Sequence, residues 1–272
     1  MNLFFLGTAA AEGYPGIFCN CAACNQARAL GGRNLRLRSA LLVNEDLLID
    51  FGPDLLAAAQ RFNRNLSRVR TGLVTHGHSD HFYLMNFEMR GGSFTGDLPI
   101  PTLDLFAPRD VTATLEQAAP DLAELHLRTH PIQAFERWNH GGYAFQAFHA
   151  YHAIGHHEAV FYSISDGRHA VLYATDTGSF PQDTWDALKG QSFDVVILEE
   201  TLGDGTYDQH LGFTGFLEHV QRMRAEGMLR EGGRVIAHHF SHSGNPPYEQ
   251  LAAFFAPHEV EVAYDGLEIT LL

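Results

Sequence analysis

Short apolar runs alternate along the chain with segments in which apolar residues recur at helical spacing. Short apolar runs bounded by Gly, Asn or Asp predict β-strands, and the 3.6-residue period predicts helices. We predict strands at residues 3–6, 40–43, 47–49, 72–75, 103–107, 143–148, 160–164, 170–174, 195–199, 235–237, 260–263 and 268–271. We predict helices at residues 53–62, 109–118, 184–188, 214–226 and 248–255. Strands interspersed with helices are typical of an α/β architecture in which helices cover sheets.

Four of the predicted strands deliver a metal-ligand residue type at their carboxyl ends, namely Asp50, His76, Asp176 and His239. Strand ends and the short loops after them are where rigid scaffolds place chemistry. The repetition of this pattern predicts a functional site at that end of the strands.

The stretch THGHSDH, residues 75–81, places His76, His78, Asp80 and His81 directly after an apolar run. A polar surface loop is the alternative interpretation. Alternate residues of an extended loop point to the same side, so His76 and His78 can share one point, while Asp80 and His81 reach a second. Imidazole and carboxylate suit Zn, Mn or Fe, and two ions about 3.5–4 Å apart suit hydrolysis. The stretch therefore predicts a metal site.

Three cysteines, Cys19, Cys21 and Cys24, form a C-x-C-x-x-C cluster in the stretch CNCAAC. The odd number and the close spacing argue against a disulfide framework. Three thiolates can converge on one tetrahedral ion and leave its fourth position to a distant residue. We predict a structural zinc that pins the loop near residues 19–24; three reduced cysteines without metal are the alternative.

Composition limits the partners. The net charge is −14 with histidine neutral, and this acidity disfavours nucleic-acid binding. Eight arginines between residues 28 and 70 are interpreted as solvated loops and helix ends, with a patch for anionic substrates as the alternative. No apolar run approaches a membrane span, and the N-terminus lacks the basic region of a signal peptide, so we expect a cytoplasmic protein. No linker or repeat divides residues 1–272, which predicts one domain.

The motifs HGHSDH, LYATDTG and AHHFSH together resemble the metallo-β-lactamase superfamily. The resemblance runs from LFFLGTAA near the start to EVAYDGLEITL at the end. It implies an αββα four-layer sandwich with a dinuclear metal site along one edge of its two sheets.

The resemblance also implies roles for individual residues. His76 and His78 would hold one metal, Asp80 and His81 the other, and Asp176 would bridge them. His239 matches the late histidine ligand, with His238 as the alternative. The third ligand of the first metal is expected after strand 143–148, where the candidates are His149, His152, His156 and His157, and where His152 fits the spacing to the next strand.

The stretch LGTAAAEGYPGIFCNCAACNQAR is similar to one branch of the superfamily, the phosphodiesterases of phosphoribosyl 1,2-cyclic phosphate. That similarity implies His242, three residues after His239, as the fourth ligand of the structural zinc. It also implies that His210, in DGTYDQHLGFTGFLEHV, faces the substrate phosphate; a helix-capping surface histidine is the alternative. The stretch also resembles the pyrroloquinoline quinone biosynthesis member, which typically lacks an intact H-x-H-x-D-H motif, so a hydrolase is favoured.

We therefore expect a metal-dependent hydrolase with two Zn or Mn ions, acting on a small cyclic phosphate by attack of a metal-bridged hydroxide. Asp80 and His210 are its expected catalytic residues, and a homodimer is considered as its assembly. The alternatives are a lactonase, thioesterase or β-lactamase-type hydrolase, a tRNA 3′-end endonuclease, and a non-catalytic accessory protein of quinone biosynthesis. Segment 82–100 is interpreted as a lid over the site or as ordinary helix plus loop.

Overall fold

The computed structural model describes residues 1–96 and 99–272. Its strands are β1 (Asn2–Gly7), β2 (Ala40–Val43), β3 (Leu47–Ile49), β4 (Thr71–Leu73), β5 (Leu103–Pro108), β6 (Leu127–Ile132), β7 (Arg137–His140), β8 (Tyr143–His149), β9 (Val160–Ser165), β10 (Ala170–Ala174), β11 (Phe193–Glu199), β12 (Leu229–His238), β13 (Val260–Val262) and β14 (Glu268–Thr270). Its α-helices are α1 (Ala22–Leu30), α2 (Leu55–Arg61), α3 (Met85–Glu88), α4 (Arg109–Ala118), α5 (Gln182–Leu188), α6 (Phe213–Ala225) and α7 (Tyr248–Phe255).

The strands form two mixed sheets that pack face to face. The first has the order β14-β1-β2-β3-β4-β5-β6, and the second has the order β13-β12-β11-β10-β9-β8-β7. Alternation along β1 shows how the layers arise: Leu3 and Phe5 join the core between the sheets, whereas Phe4 and Leu6 join the core under the outer helices. Val111 of α4 belongs to the core under the outer helices of the first sheet. Phe216 of α6 belongs to the larger cluster, which includes residues from both faces of the second sheet. The predicted αββα sandwich is confirmed.

Parallel pairing explains why distant residues meet. Strands β3 to β6 run parallel in the first sheet, and β10 to β13 run parallel in the second. The carboxyl ends of parallel strands share one edge of a sheet, and ligands in such folds bind outside these ends. The strand ends predicted to carry chemistry therefore lie along one edge of each sheet.

The sequence patterns did not predict β6, β7 or α1. Strand β6 contains Pro131 and β7 reads RWNH, so neither shows an apolar run, and both are sheet edges, where proline and polar residues are tolerated. Helix α1 begins inside the cysteine cluster, for which the sequence predicts a loop. Segment 82–100 contains α3 and a 3-10 turn at Gly92–Phe94, and two of its residues, 97 and 98, lie outside the described part.

Within residues 1–96 and 99–272, no helix combines the length and apolar character needed to cross a bilayer.

Two adjacent leucines of α2 test the layer assignment. Leu55 is buried in the core under the first sheet (7% exposed), and its neighbour Leu56 is 55% exposed. Leu55→Ala should lower the free energy of unfolding by about 2–5 kcal/mol, because it leaves a cavity. Leu56→Ala should change it by only about 0.5 kcal/mol, since alanine suits an exposed helix position. Urea titrations of both variants measure the difference, and equal losses would contradict the layer assignment.

Candidate metal centre

Three residues at or just beyond the carboxyl ends of strands adopt left-handed backbone conformations at this edge. They are Asp50 with φ of 65°, Asp176 with φ of 48° and His239 with φ of 61°. Residues other than glycine rarely adopt positive φ, and such positions concentrate at functional sites. The turns aim the Asp176 and His239 side chains at each other, with His239 Nε2 lying 2.9 Å from Asp176 Oδ2.

A first group consists of three imidazoles. His76 Nε2 lies 2.9 Å from His78 Nδ1, and His152 Nε2 lies 3.1 Å from the same atom. Side-chain nitrogens of all three residues lie within 4.8 Å of one another. His76 and His152 are buried, and His78 is partly buried. Three ring nitrogens therefore converge on one point beneath the surface.

A second group combines imidazoles with carboxylates. His81 Nε2 lies 3.0 Å from Asp80 Oδ2 and 2.8 Å from Asp176 Oδ2. Asp176 joins the two groups, because its other oxygen, Oδ1, lies 3.7 Å from His152 Nε2. Three buried atoms of this group, His81 Nε2, Asp176 Oδ2 and His239 Nε2, have no hydrogen-bond partner among the described residues.

The outward-facing nitrogens of these rings are held by oxygen atoms. Asp50 Oδ2 lies 2.7 Å from His81 Nδ1, and Thr75 Oγ1 lies 3.0 Å from His76 Nδ1. Thr75 in turn donates to Asp50, so one carboxylate supports both rings. A ring that donates from its outer nitrogen keeps a lone pair on the inner one, as in histidines that ligate metals.

The same arrangement holds His239 and His152. Thr201 donates to Glu199 and presents its oxygen 2.9 Å from His239 Nδ1. The backbone carbonyl of Gln209 lies 3.3 Å from His152 Nδ1. Four of the clustered rings are thereby oriented with their Nε2 atoms inward.

Burial sets the protonation of the first group. It lowers the pKa of His76 well below its usual value and also lowers the pKa values of His78 and His152. The neighbouring imidazoles lower these values further, because like charges repel. The three rings are therefore neutral near pH 7 and have lone pairs to offer.

The second group needs a positive charge. Burial alone would lower the pKa of His81, but three carboxylates outweigh it and raise that pKa well above its usual value. These carboxylates belong to Asp176, Asp80 and Asp50. Burial would raise the pKa of Asp176, but His239 and His81 outweigh it and hold that pKa well below its usual value. A divalent cation between these oxygens would replace the proton on His81.

The donor sets fit divalent metals. A tetrahedral ion with bonds near 2.1 Å to nitrogen separates its ligand atoms by about 3.4 Å. The distances given above between ligand atoms of the two groups run from 2.8 to 3.7 Å, so small shifts of the side chains would admit such an ion. The mixture of imidazole and carboxylate suits Zn or Mn. A cation between the inner atoms would also give a partner to those that lack one, since buried polar groups are normally paired.

His210 and Glu199 form a pair beside the first group. His210 Nδ1 lies 2.9 Å from Glu199 Oε2 and 4.0 Å from Asp176 Oδ1. Burial would lower the pKa of His210, but Glu199 outweighs it and raises that pKa to about 9. His210 precedes α6, whose N-cap is Gly212, so it does not cap that helix.

The remaining histidine candidates lie elsewhere. His149 contacts Asp183, and its side chain is 42% exposed; His156 is exposed. His157 Nδ1 lies 2.8 Å from Asp110 Oδ2, and its ring covers Gly77, where an added Cβ would approach it to 2.7 Å. The buried ring of His238 packs edge-on against Phe5, away from the cluster.

A separate cluster joins the three cysteines to His242. Their four ligand atoms lie within 4.8 Å of one another, and His242 Nδ1 is 3.7 Å from the sulfurs of both Cys19 and Cys21. A tetrahedral zinc separates sulfur and nitrogen ligands by about 3.6 Å, so the cluster fits this ion. The Cys24 backbone N–H lowers the pKa of Cys21 to about 6, whereas burial raises the pKa of Cys24 to about 12.

The sequence does not predict the residues whose oxygen atoms contact the outer nitrogens of the imidazole rings. The sequence marks Asp50 only as a metal-ligand residue type at a strand end, and Glu199 ends β11 in the same way, so the strand-end pattern could have found both. Thr75 and Thr201 carry no comparable signal, because their part depends on contacts across the fold.

A family model for the beta-lactamase superfamily domain matches residues 45–240, well over half of the chain. The chain therefore belongs to the metallo-β-lactamase superfamily, and this hydrolase fold implies divalent-metal binding. No curated protein matches the sequence.

Three solved structures illustrate the similarity. A diphosphatase from the PhnP family has a TM-score of 0.78 at 22% identity, covering 100% of this chain and 98% of its own. Zn2+-bound PqqB from Methylobacterium extorquens has a TM-score of 0.77 at 21% identity, with 100% of both chains covered. The short form of human tRNase Z has a TM-score of 0.69 at 17% identity, again with 100% of both chains covered. At these identities the likeness shows the fold.

Asp50 offers a test of the oriented rings. Asparagine has the size of aspartate and also tolerates the left-handed backbone conformation of this position. In Asp50→Asn, however, an amide N–H or a neutral amide oxygen replaces the carboxylate oxygen that faces His81. We expect Mn2+ affinity to fall about 10- to 100-fold, as for other groups that support a metal-binding histidine. Calorimetric titration with Mn2+ measures this affinity without interference from the cysteines, since thiolates prefer softer metals. Glu45→Gln, at an exposed position in the preceding turn, should bind like the parent. Parent-like affinity in a folded Asp50→Asn variant would contradict the role given to Asp50.

Proposed function

We propose that the chain is a dinuclear-metal phosphodiesterase that hydrolyses a small cyclic phosphate. The observation that carries this proposal is the position of Asp176. One of its oxygens faces His152 in the first group, and the other lies within hydrogen-bonding distance of His81 and His239 in the second. A single carboxylate between two ligand groups suits a pair of ions that act together on one phosphate.

In this proposal each group holds one ion. The first ion is held by His76, His78 and His152, the second by Asp80, His81 and His239, and Asp176 contributes an oxygen to each. Zinc and manganese both suit these ligands, and the zinc-bound state of the similar PqqB structure supports zinc. Bound ions would make hydroxide available from water near neutral pH and would offset the charge of the phosphate oxygens.

His210 is proposed to act on the substrate from beside the first group. Its Nδ1 is engaged by Glu199, so its Nε2 is the atom left for the substrate. It would donate a hydrogen bond to the phosphate or a proton to the departing oxygen. In the overall reaction the oxygen of water joins phosphorus, one ring P–O bond breaks, and the proton reaches the released hydroxyl. Asp80 and His210 remain the proposed catalytic residues.

Phosphate chemistry is preferred over the other hydrolytic reactions for two reasons. A histidine held by a buried carboxylate next to the ligand groups can stabilise the charge that develops on a phosphate oxygen. The names of two similar structures, a diphosphatase and a tRNase Z, also support phosphate chemistry. A small substrate is preferred over tRNA because the net charge of −14 opposes a polyanion.

The reaction class is tested with protein reconstituted with Zn2+ or Mn2+. We expect hydrolysis of bis(p-nitrophenyl) phosphate and none of a lactone, a thioester, a β-lactam or a tRNA precursor. Asp176→Ala should lower this activity by more than about 100-fold and reduce the metal content, since the shared carboxylate is lost. Asp186→Ala, on the exposed side of α5, is the matched control and should behave like the parent. Full turnover by metal-replete Asp176→Ala, or turnover of another ester class alone, would refute the proposal.

His210→Gln separates metal holding from action on the substrate. We expect this variant to keep the metal content of the parent, while kcat for the phosphodiester falls by about 100-fold or more. A parallel loss of metal would instead make His210 a ligand.

The cysteine cluster is proposed to hold a structural zinc that pins the loop before α1. Cys21→Ser should therefore lower the zinc content by about one ion per chain and lower the melting temperature. Elemental analysis and thermal unfolding measure the two effects. Asn20→Ser changes an exposed residue between two of the ligands and should alter neither. Unchanged zinc content in Cys21→Ser would exclude this site.

A further inference from the structure

A cavity of about 540 Å3 opens beside the two ligand groups described above, on the side of His210. Its walls come from the loop between β11 and α6, from the first turn of α6 and from Ser179. His210 is part of this wall. One of its side-chain nitrogens also lies within 4.8 Å of ligand atoms of His152 and Asp176. The cavity therefore offers room for the remaining atoms of a substrate whose phosphate lies at His210.

The polar groups of the wall are acidic or neutral. Asp204 and Asp208, two exposed residues, line the cavity and make no ion pair with any residue of the described ranges 1–96 and 99–272. Hydroxyl groups come from Thr206, Tyr207 and Thr214. Throughout the part of the chain that the structure describes, no arginine or lysine lines this cavity.

The N-terminus of α6 gives the wall a partial positive charge. The first turn of α6, a helix of 13 residues, faces the cavity with Thr214 and Gly215, and its N-cap Gly212 supplies no capping side chain. The free amides of a helix N-terminus amount to about half a positive charge, which is small beside two full carboxylate charges. These amides can also donate hydrogen bonds to neutral oxygens, so they suit hydroxyl groups as well as anions.

The other side of the cluster does not supply a cationic subsite either. A second cavity next to His157 contains Arg109, but Asp110 and Glu158 line it too. The arginine-rich stretch between residues 28 and 70 is largely engaged elsewhere: Arg38, Arg61, Arg64, Arg68 and Arg70 each pair with a carboxylate. This pairing favours the interpretation of the stretch as solvated loops and helix ends over a patch for anionic substrates.

We propose that the cavity between Asp204, Asp208 and His210 selects substrates whose phosphodiester carries an uncharged, hydroxyl-bearing group, such as a sugar, over substrates with a second phosphate. This inference rests on the proposed phosphodiesterase function and specifies its substrate class. The hydroxyls and carboxylates of the wall can accept and donate hydrogen bonds to a polyol, whereas a second phosphate would meet like charges.

Two substrates that differ by one phosphate test this selectivity. They are ribose 1,2-cyclic phosphate and the same compound with a phosphate on its 5-hydroxyl. With metal-reconstituted protein at low ionic strength, we expect kcat/KM for the unphosphorylated compound to be at least about tenfold higher. Because the discrimination is electrostatic, it should shrink as salt is added.

Asp204→Asn combined with Asp208→Asn should bring the ratio of the two kcat/KM values towards one, chiefly by raising the value for the phosphorylated compound. Glu231→Gln removes an exposed acidic side chain that does not line the cavity, and it should leave the ratio unchanged. The double variant also separates charge from shape, since asparagine has nearly the same size as aspartate.

Bis(p-nitrophenyl) phosphate distinguishes failure of the inference from failure of the function. If neither it nor any cyclic phosphate is hydrolysed, the proposed function is wrong. If it is hydrolysed but the two ribose compounds react equally, or the phosphorylated one reacts faster, the selectivity inference is overturned. A preference that persists unchanged in the double variant likewise overturns the part given to Asp204 and Asp208.

Discussion

The structure depends on the attraction between buried carboxylates and the cationic charge that they require. Asp80, in the loop after β4, and Asp176, after β10, lie next to His81 and are largely shielded from water. Without metal, a proton on His81 supplies the charge, and the pKa of that ring is raised well above its usual value. Leaving such carboxylates unpaired in the interior would be costly, so the fold at this edge is built to hold a cation.

Two sheets supply the ligands because their parallel strands end at the same edge. The first sheet delivers Asp50 and the loop from His76 to His81, and the second delivers Asp176, Glu199 and His239. The supporting hydrogen bonds come from the same strand ends, so the orientation of each ring is tied to the register of a sheet. The positions of the ligand groups are therefore tied to the sandwich, and the loop between β11 and α6 adds Thr201, Gln209 and His210 to the site.

Local patterns sufficed for most of the fold. Strands β2, β3 and β10 and helices α4 and α7 have the predicted bounds, because each is a clear apolar run or helical period with turn residues on both sides. The edge strands β6 and β7 escaped prediction because their burial depends on the neighbouring sheet and leaves no apolar run in the sequence.

In the candidate site, too, local sequence patterns predict some residues, whereas others are brought in only by the tertiary structure. The residues of the H-x-H-x-D-H stretch lie together because short spacing constrains them. In the structure the rings of His152 and His239 face Asp176, which agrees with their choice over the neighbouring histidines, and their roles as ligands stay predictions. The supporting residues Thr75 and Thr201 could not be predicted, since only the tertiary structure brings their hydroxyls to the outer nitrogens of His76 and His239.

The most direct measurement is an anomalous-difference map from crystals of the zinc-reconstituted protein, recorded on both sides of the zinc absorption edge. The account predicts two peaks about 3.5–4 Å apart on either side of the Asp176 carboxylate, and a third among Cys19, Cys21, Cys24 and His242. A map without paired peaks at Asp176, or one in which His76, His81 and His239 lie too far apart to share neighbouring ions, would contradict it.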